Sequence, residues 1–156
     1  SNVSRNRSAW SRFTRSGWVP IHYIFRSLER HELHAYYRTA EIALITPLKD
    51  GMNLVAKEYC ASNTEQTGVL ILSEFAGAAS QLRKGAILVN PYDIEGVSEA
   101  LFTAYGMDRR ERRERMKKMQ ASVARNDIYW WVNSFLRASI AGNLDDFPLV
   151  GYQEPH

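Results

Sequence analysis

TPLKDGMNLVAKEYCA, Thr46 to Ala61, places a Pro, a Lys, an Asp and a Gly in a row and then opens what reads as a helix. The preceding residues, EIALIT (Glu41 to Thr46), form a short apolar run rich in branched side chains, the pattern of a buried strand bounded by turn formers. Asp50-Gly51 signals a tight turn, because glycine tolerates the positive φ that other residues resist. Asn53 is a good N-cap, and LVAKEYCA continues with helix-compatible residues. The stretch therefore predicts strand, Gly turn, helix.

This unit has a chemical use. The first turn of a helix leaves backbone N–H groups without partners, and the helix dipole adds partial positive charge there, which suits a phosphate or pyrophosphate. Leu54 and Glu58 lie four apart and share one helix face. A carboxylate one turn beyond a bound phosphate can accept hydrogen bonds from ribose hydroxyls. Most strand–turn–helix units bind nothing, however, and Glu58 read alone is more often a solvated helix residue.

Along the rest of the chain, GWVPIHYIF (Gly17 to Phe25) reads as a strand and Glu29 to Ala40 as a helix. Thr67 to Ser73 is a second buried strand, Glu74 to Leu82 a Gly-interrupted loop with a short helix, and Gly85 to Asp93 a strand ending in a Pro turn. Helices follow over Ile94 to Tyr105, Asp108 to Asn126 and Asp127 to Gly142, before a tail with no strong period. Short apolar strands alternating with helices imply parallel βαβ units with right-handed connections. Ligands in such sheets bind at the carboxyl ends of the strands, where the Asp50–Asn53 and Glu74–Ser80 loops sit. No internal repeat or low-complexity segment stands out.

The 156 residues suffice for one domain with a core, and the 45% apolar and 24% charged content is ordinary for a globular protein. No apolar run is long enough to span a membrane. The single cysteine, Cys60, excludes an internal disulfide and a cysteine metal cluster, reads as a buried thiol, and fits a cytoplasmic location. The four histidines, His22, His31, His34 and His156, have no metal-ligand spacing and read as structural or solvated; no metal or cofactor is expected. Net charge is +3. The basic stretch Met107 to Lys118 interleaves Glu111 and Glu114 with arginines, the mark of an exposed helix laced with ion pairs rather than a nucleic-acid patch. The off-pattern basic residues Ser1 to Trp10 read as a poorly packed arm.

With these residues laid out, the chain resembles the trehalose-6-phosphate synthase family, retaining glycosyltransferases of family 20. The resemblance is carried by ALITPLKDGMNLVAKEY (Ala43 to Tyr59), GVLILSEFAGAASQL (Gly68 to Leu82), AILVNPYD (Ala86 to Asp93), NDIYWWVNSF (Asn126 to Phe135) and the upstream GWVPIHYIFRSLER (Gly17 to Arg30). The implied fold is α/β: a Rossmann-like parallel sheet with flanking helices, the C-terminal donor-binding domain of a GT-B glycosyltransferase lacking its first βα units. The implied organisation is a divergent basic arm over residues 1–11, the partial nucleotide-sugar domain over 12–147 and a tail over 148–156. The implied reaction moves glucose from UDP-glucose to glucose 6-phosphate, giving trehalose 6-phosphate and UDP without a metal or a protein nucleophile.

Residue by residue, the resemblance implies that Asp50 contacts and orients the donor glucose as the catalytic position, with Gly51, Met52 and Asn53 beside the sugar. It places the backbones of Leu54 and Val55 at the diphosphate, with Ala56 and Lys57 in the same binding stretch, and Glu58 on the ribose. Leu28 matches a position whose backbone recognises uracil. The family's Asn-Gly-Arg-Phe-Gly-like turn is replaced by Ser11-Arg12-Phe13-Thr14, and the family's acceptor domain and its diphosphate-neutralising Arg and Lys have no counterpart here. The expected form is thus a fragment, a truncated product or one piece of a larger assembly, inactive alone, with the missing half or a second copy as partner. Two rival functions are a sister synthase, such as glucosylglycerol-phosphate synthase, and a non-catalytic module that binds a nucleotide sugar or a partner protein and regulates it.

Overall fold

A computed structural model describes residues 21–125. Three strands, β1 (Ile42–Ile45), β2 (Val69–Ser73) and β3 (Ile87–Val89), form a parallel sheet in the order β1-β2-β3. The register sets Ala43 opposite Leu70 and Leu72 opposite Leu88. Five helices accompany them: α1 (Arg30–Thr39), α2 (Leu54–Ser62), α3 (Ala79–Leu82), α4 (Ile94–Gly106) and α5 (Arg109–Arg125).

The sequence of β2, VLILS, is apolar on both faces because both faces are covered, as in the middle strand of a layered parallel sheet. Leu70 and Leu72 pack with Ala56, Tyr59 and Cys60 of α2, Leu82 of α3, and Met116 and Met119 of α5. Val69 and Ile71 face the other way, onto Ala100 and Ala104 of α4 and Met107 beyond it. The alanines on both layers let helix backbones lie close to the sheet. Cys60 is fully buried beside the Met119 sulfur at 3.9 Å, and burial pushes its thiol up to about 12, so it stays protonated and inert.

Helix α5 departs from the expected solvent-exposed helix laced with ion pairs. An i,i+4 pair is present, Arg115 to Glu111 at 2.8 Å. Yet Met116, Met119 and Ser122 are buried, and Arg112 is drawn into the protein. Its guanidinium donates to the carbonyls of Ala104 and Tyr105 in the last turn of α4, at 3.1 and 3.2 Å, and to Met107 O at 3.0 Å. It also reaches Thr67 O and the Glu41 carboxylate, both at 3.4 Å. Ala104 O otherwise takes only the long 3.4 Å bond from Met107 N at the C-cap, so a cation at this helix end helps satisfy the last-turn carbonyls and complements the dipole.

The strand expected over Gly17 to Phe25 is not formed in its described part. Residues 21–25 pair with no strand, and Tyr23 and Phe25 stack on each other with ring centroids 6.1 Å apart, both largely exposed. An apolar run favours an extended backbone but becomes a strand only with a ladder partner. The expected helix over Asp127 to Gly142, the N-terminal arm and the tail lie outside the described residues. Among the described residues no helix is long and apolar enough to cross a membrane.

Candidate functional site

The chain leaves β1 at its carboxyl end, runs through Thr46 to Asn53 and enters α2 at Leu54. Asp50 organises this turn from within. Its Oδ1 accepts from Met52 N at 3.1 Å and Asn53 N at 2.9 Å, and its Oδ2 accepts from the Asn53 side-chain amide at 2.7 Å. The two backbone bonds, Met52 first, hold the Asp50 carboxyl below the usual carboxylate range. Asn53 then caps the helix, its Oδ1 accepting from Ala56 N at 2.9 Å.

The strained position is not where the sequence placed it. Asn53, at φ 55° and ψ 74°, takes the left-handed conformation that Gly51 was expected to take. Asn is among the few residues that visit this region readily. Gly51 has an ordinary φ, and a Cβ there would meet nothing within 4 Å. The glycine that sterics demand is Gly77, on the β2–α3 loop. Its N–H donates to Asp50 O at 2.7 Å, and Ala76 and Asp50 pair as an isolated parallel bridge. A Cβ at position 77 would fall on the Gly51 carbonyl.

Around this turn the surface is open. Leu54 is 56% exposed, Val55 44% and Met52 38%. Leu54 N–H and Val55 N–H open the helix, where no intrahelical acceptor exists, while Ala56 N–H is taken by Asn53. Ala56, placed in the binding stretch by resemblance, is fully buried, so its side chain belongs to the core. Lys57 is half-buried, and burial draws its ammonium below the usual lysine range.

Glu58 is exposed on α2, one turn past Leu54, and accepts from the Tyr37 hydroxyl of α1 at 3.3 Å. Burial first, and Glu58 second, push the Tyr37 phenol up, so it remains a donor. His34 meets Tyr37 edge-on with centroids 6.4 Å apart, and its Nδ1 lies 3.1 Å from Ser62 Oγ. Leu28 is half-buried two residues before α1 opens. Tyr37 and Gly77 escaped the sequence reading. The small-residue run Ala76-Gly77-Ala78-Ala79 after an apolar strand was the available sign of a close approach. Among the described residues no group of three His, Cys, Asp or Glu is arranged to hold a metal ion.

The family model for glycosyltransferase family 20 matches residues 7–140. A trehalose-6-phosphate synthase from Sodalis glossinidius is 50% identical over 125 residues, covering 80% of this chain and 26% of that protein. A glucosylglycerol-phosphate synthase from Pseudomonas anguilliseptica is 45% identical over 129 residues, covering 81% of this chain and 17% of the other. Among solved structures, an α,α-trehalose-phosphate synthase (UDP-forming) from Burkholderia vietnamiensis superposes with a TM-score of 0.80 at 42% identity, covering 90% of this chain and 31% of that one. The E. coli protein bound with UDP-2-fluoro glucose superposes at 0.77 with 40% identity, covering 83% of this chain and 29% of its own. The chain thus spans about a quarter of the length of the first curated relatives it matches. The parallel sheet with helices on both faces is the Rossmann-like architecture of these structures, and the chain belongs to glycosyltransferase family 20.

Proposed function

We propose that this chain is the UDP-glucose-binding portion of an α,α-trehalose-phosphate synthase (UDP-forming), in which glucose passes from UDP-glucose to glucose 6-phosphate. The observation that carries the reading is the pre-built turn at the carboxyl end of β1. Asp50, Asn53 and the backbone of Gly77 fix its shape, and it opens directly onto the exposed first turn of α2. Complexes of relatives with UDP-2-fluoro glucose and with glucose 6-phosphate support it.

In this reading the glucose lies against Asp50, Gly51, Met52 and Asn53. The Leu54 and Val55 amides face the diphosphate, Glu58 holds the ribose and the Leu28 backbone meets the uracil. During transfer the bond from the anomeric carbon to the UDP oxygen breaks, and a bond forms from that carbon to the acceptor hydroxyl on the same face. The acceptor proton passes to the departing UDP oxygen. Preorganised amides favour this step because they face the charge that develops on the leaving group and need no reorganisation. Asp50, tied into the turn by three hydrogen bonds, orients the sugar and does not attack it.

The test is calorimetric titration of the chain with UDP-glucose and with UDP. Saturable one-to-one binding of both is expected; heats no larger than those of dilution for both would refute the reading. A sister synthase with the same donor would use these residues identically. UDP release with glucose 6-phosphate set against release with glycerol phosphate, in an enzyme carrying this segment, separates the two.

A further inference from the structure

We infer that Gly77 is a positioning residue for the donor site: by lacking a side chain it lets the β2–α3 loop hold the Asp50–Met52 backbone in the place where the sugar is oriented. The inference rests on the donor reading above and extends it to a residue outside the binding stretch. Gly77 has no left-handed φ, so its backbone conformation alone would admit any residue. What excludes a side chain is its neighbour. A Cβ at 77 would overlap the Gly51 carbonyl carbon and oxygen and crowd Met52 N, and backbone atoms cannot swing aside as the end of a flexible side chain can. The same approach makes the bond from Gly77 N to Asp50 O at 2.7 Å and the bridge between Ala76 and Asp50.

The surroundings decide which side yields. Ala76 and Ala78, flanking Gly77, are buried in the core. Glu74 N donates to Val89 O at 3.0 Å, Phe75 N to Ser73 Oγ at 3.1 Å, and Ala79 N to Ala76 O at 2.8 Å, so the β2–α3 loop is tied on each side of Gly77. The Asp50–Met52 turn is exposed at Gly51 and Met52, with open space beside Gly51. Any atom added at position 77 therefore pushes the turn outward, toward the ligand. The first bond to stretch is Met52 N to Asp50 Oδ1, at 3.1 Å already longer than the 2.9 Å bond from Asn53 N.

The experiment compares Gly77→Ala with Gly106→Ala, the latter at the end of α4, where an added Cβ meets nothing within 4 Å. Amide exchange is followed at Met52, Asn53 and the β2 residues Leu70 to Leu72, without ligand. Gly77→Ala should speed exchange at Met52 and Asn53 by about tenfold or more and leave β2 unchanged, as a local opening does. UDP and UDP-glucose are then titrated by calorimetry. UDP-glucose should lose about tenfold in affinity and UDP less than about threefold, because the glucose alone rests on the displaced turn. Gly106→Ala should match wild type in every measurement. Unchanged exchange at Met52 and Asn53 overturns the inference, as does acceleration spread equally over β2. Equal losses for the two nucleotides overturn it too. If the unsubstituted chain binds neither nucleotide, the donor reading fails, and the exchange measurement still decides whether Gly77 holds the turn.

Discussion

Two connections in this protein use the same local chemistry and end differently. At the carboxyl end of the sheet, Asn53 takes a left-handed φ and caps α2, and Gly77 is the glycine of close approach. At the amino end, Asn63 Oδ1 accepts from Thr67 N at 3.0 Å and Gly68 N at 3.2 Å, and Gln66 supplies the left-handed φ of 58°. There Gly68 is the close-approach glycine, against Tyr59 and Asn63. The second connection is sealed: Asn63 is 1% exposed, and the Gln120 side chain donates to Cys60 O and Asn63 O. The first is left open, with apolar side chains and helix-opening amides facing solvent. An Asn-capped turn is therefore a structural device in both places. What makes one of them a candidate site is that no described residue is packed over it, together with the start of a helix beneath.

That contrast can be broken by substitution. Asn63→Ala removes the acceptor of two amides at the sealed end. Each buried amide left unsatisfied costs about 1–3 kcal/mol, so urea denaturation should show a loss of about 2–6 kcal/mol, with UDP affinity of the folded fraction unchanged. A comparable loss of UDP affinity would show that the two ends are not independent.

Glu58→Gln acts at the open end and should do the reverse. Removing the charged acceptor should weaken UDP and UDP-glucose together by about 1.5–3 kcal/mol, with the denaturation midpoint held, since Glu58 is exposed. Tyr37→Phe should produce a smaller effect of the same kind, about 0.5–1 kcal/mol in both affinities, because it deletes one 3.3 Å bond that orients the carboxylate. A wild-type UDP affinity in Tyr37→Phe would remove Tyr37 from the site.

The smallest effect expected is one of pH. The open turn is organised by a carboxylate and the sealed one by an amide. The Asp50 pKa is depressed in the fold, so its contribution is fully present above the unfolded value of about 3.9 and is lost as pH falls through the folded value below it. Amide protection at Met52 and Asn53 should therefore fade on acidification beyond about pH 4 while that at Thr67 and Gly68 persists. Simultaneous loss at both would contradict the comparison.

Much of this architecture was legible because it is local. The EIALIT and TGVLILS runs announce strands buried on at least one face, and Asn53 before LVAKEYCA announces a cap. In α5, the positions 112, 116, 119 and 123 recur at helical spacing, a signal masked by the charges around them. What the sequence hid is tertiary. Asp50-Gly51 and Asn53 both offer a left-handed residue, and only the folded turn chooses between them. The demand at Gly77 comes from a backbone 26 positions away in the chain, and the Tyr37–Glu58 bond joins two helices with no shared period. Arg112 reads as one more solvated arginine until α4 is seen to end against it.

The central claim is that sugar meets the turn and ribose meets the helix. It is tested most directly by titrating UDP and UDP-glucose into Asp50→Asn and Glu58→Gln side by side. Asp50→Asn places an amide against the Asn53 amide that Oδ2 now accepts, disturbing the turn ahead of the helix. The expected result is that Glu58→Gln weakens both nucleotides by the same factor, whereas Asp50→Asn weakens UDP-glucose by about tenfold more than UDP. If Asp50→Asn weakens UDP as much as UDP-glucose, and as much as Glu58→Gln does, the division of the donor between turn and helix is wrong.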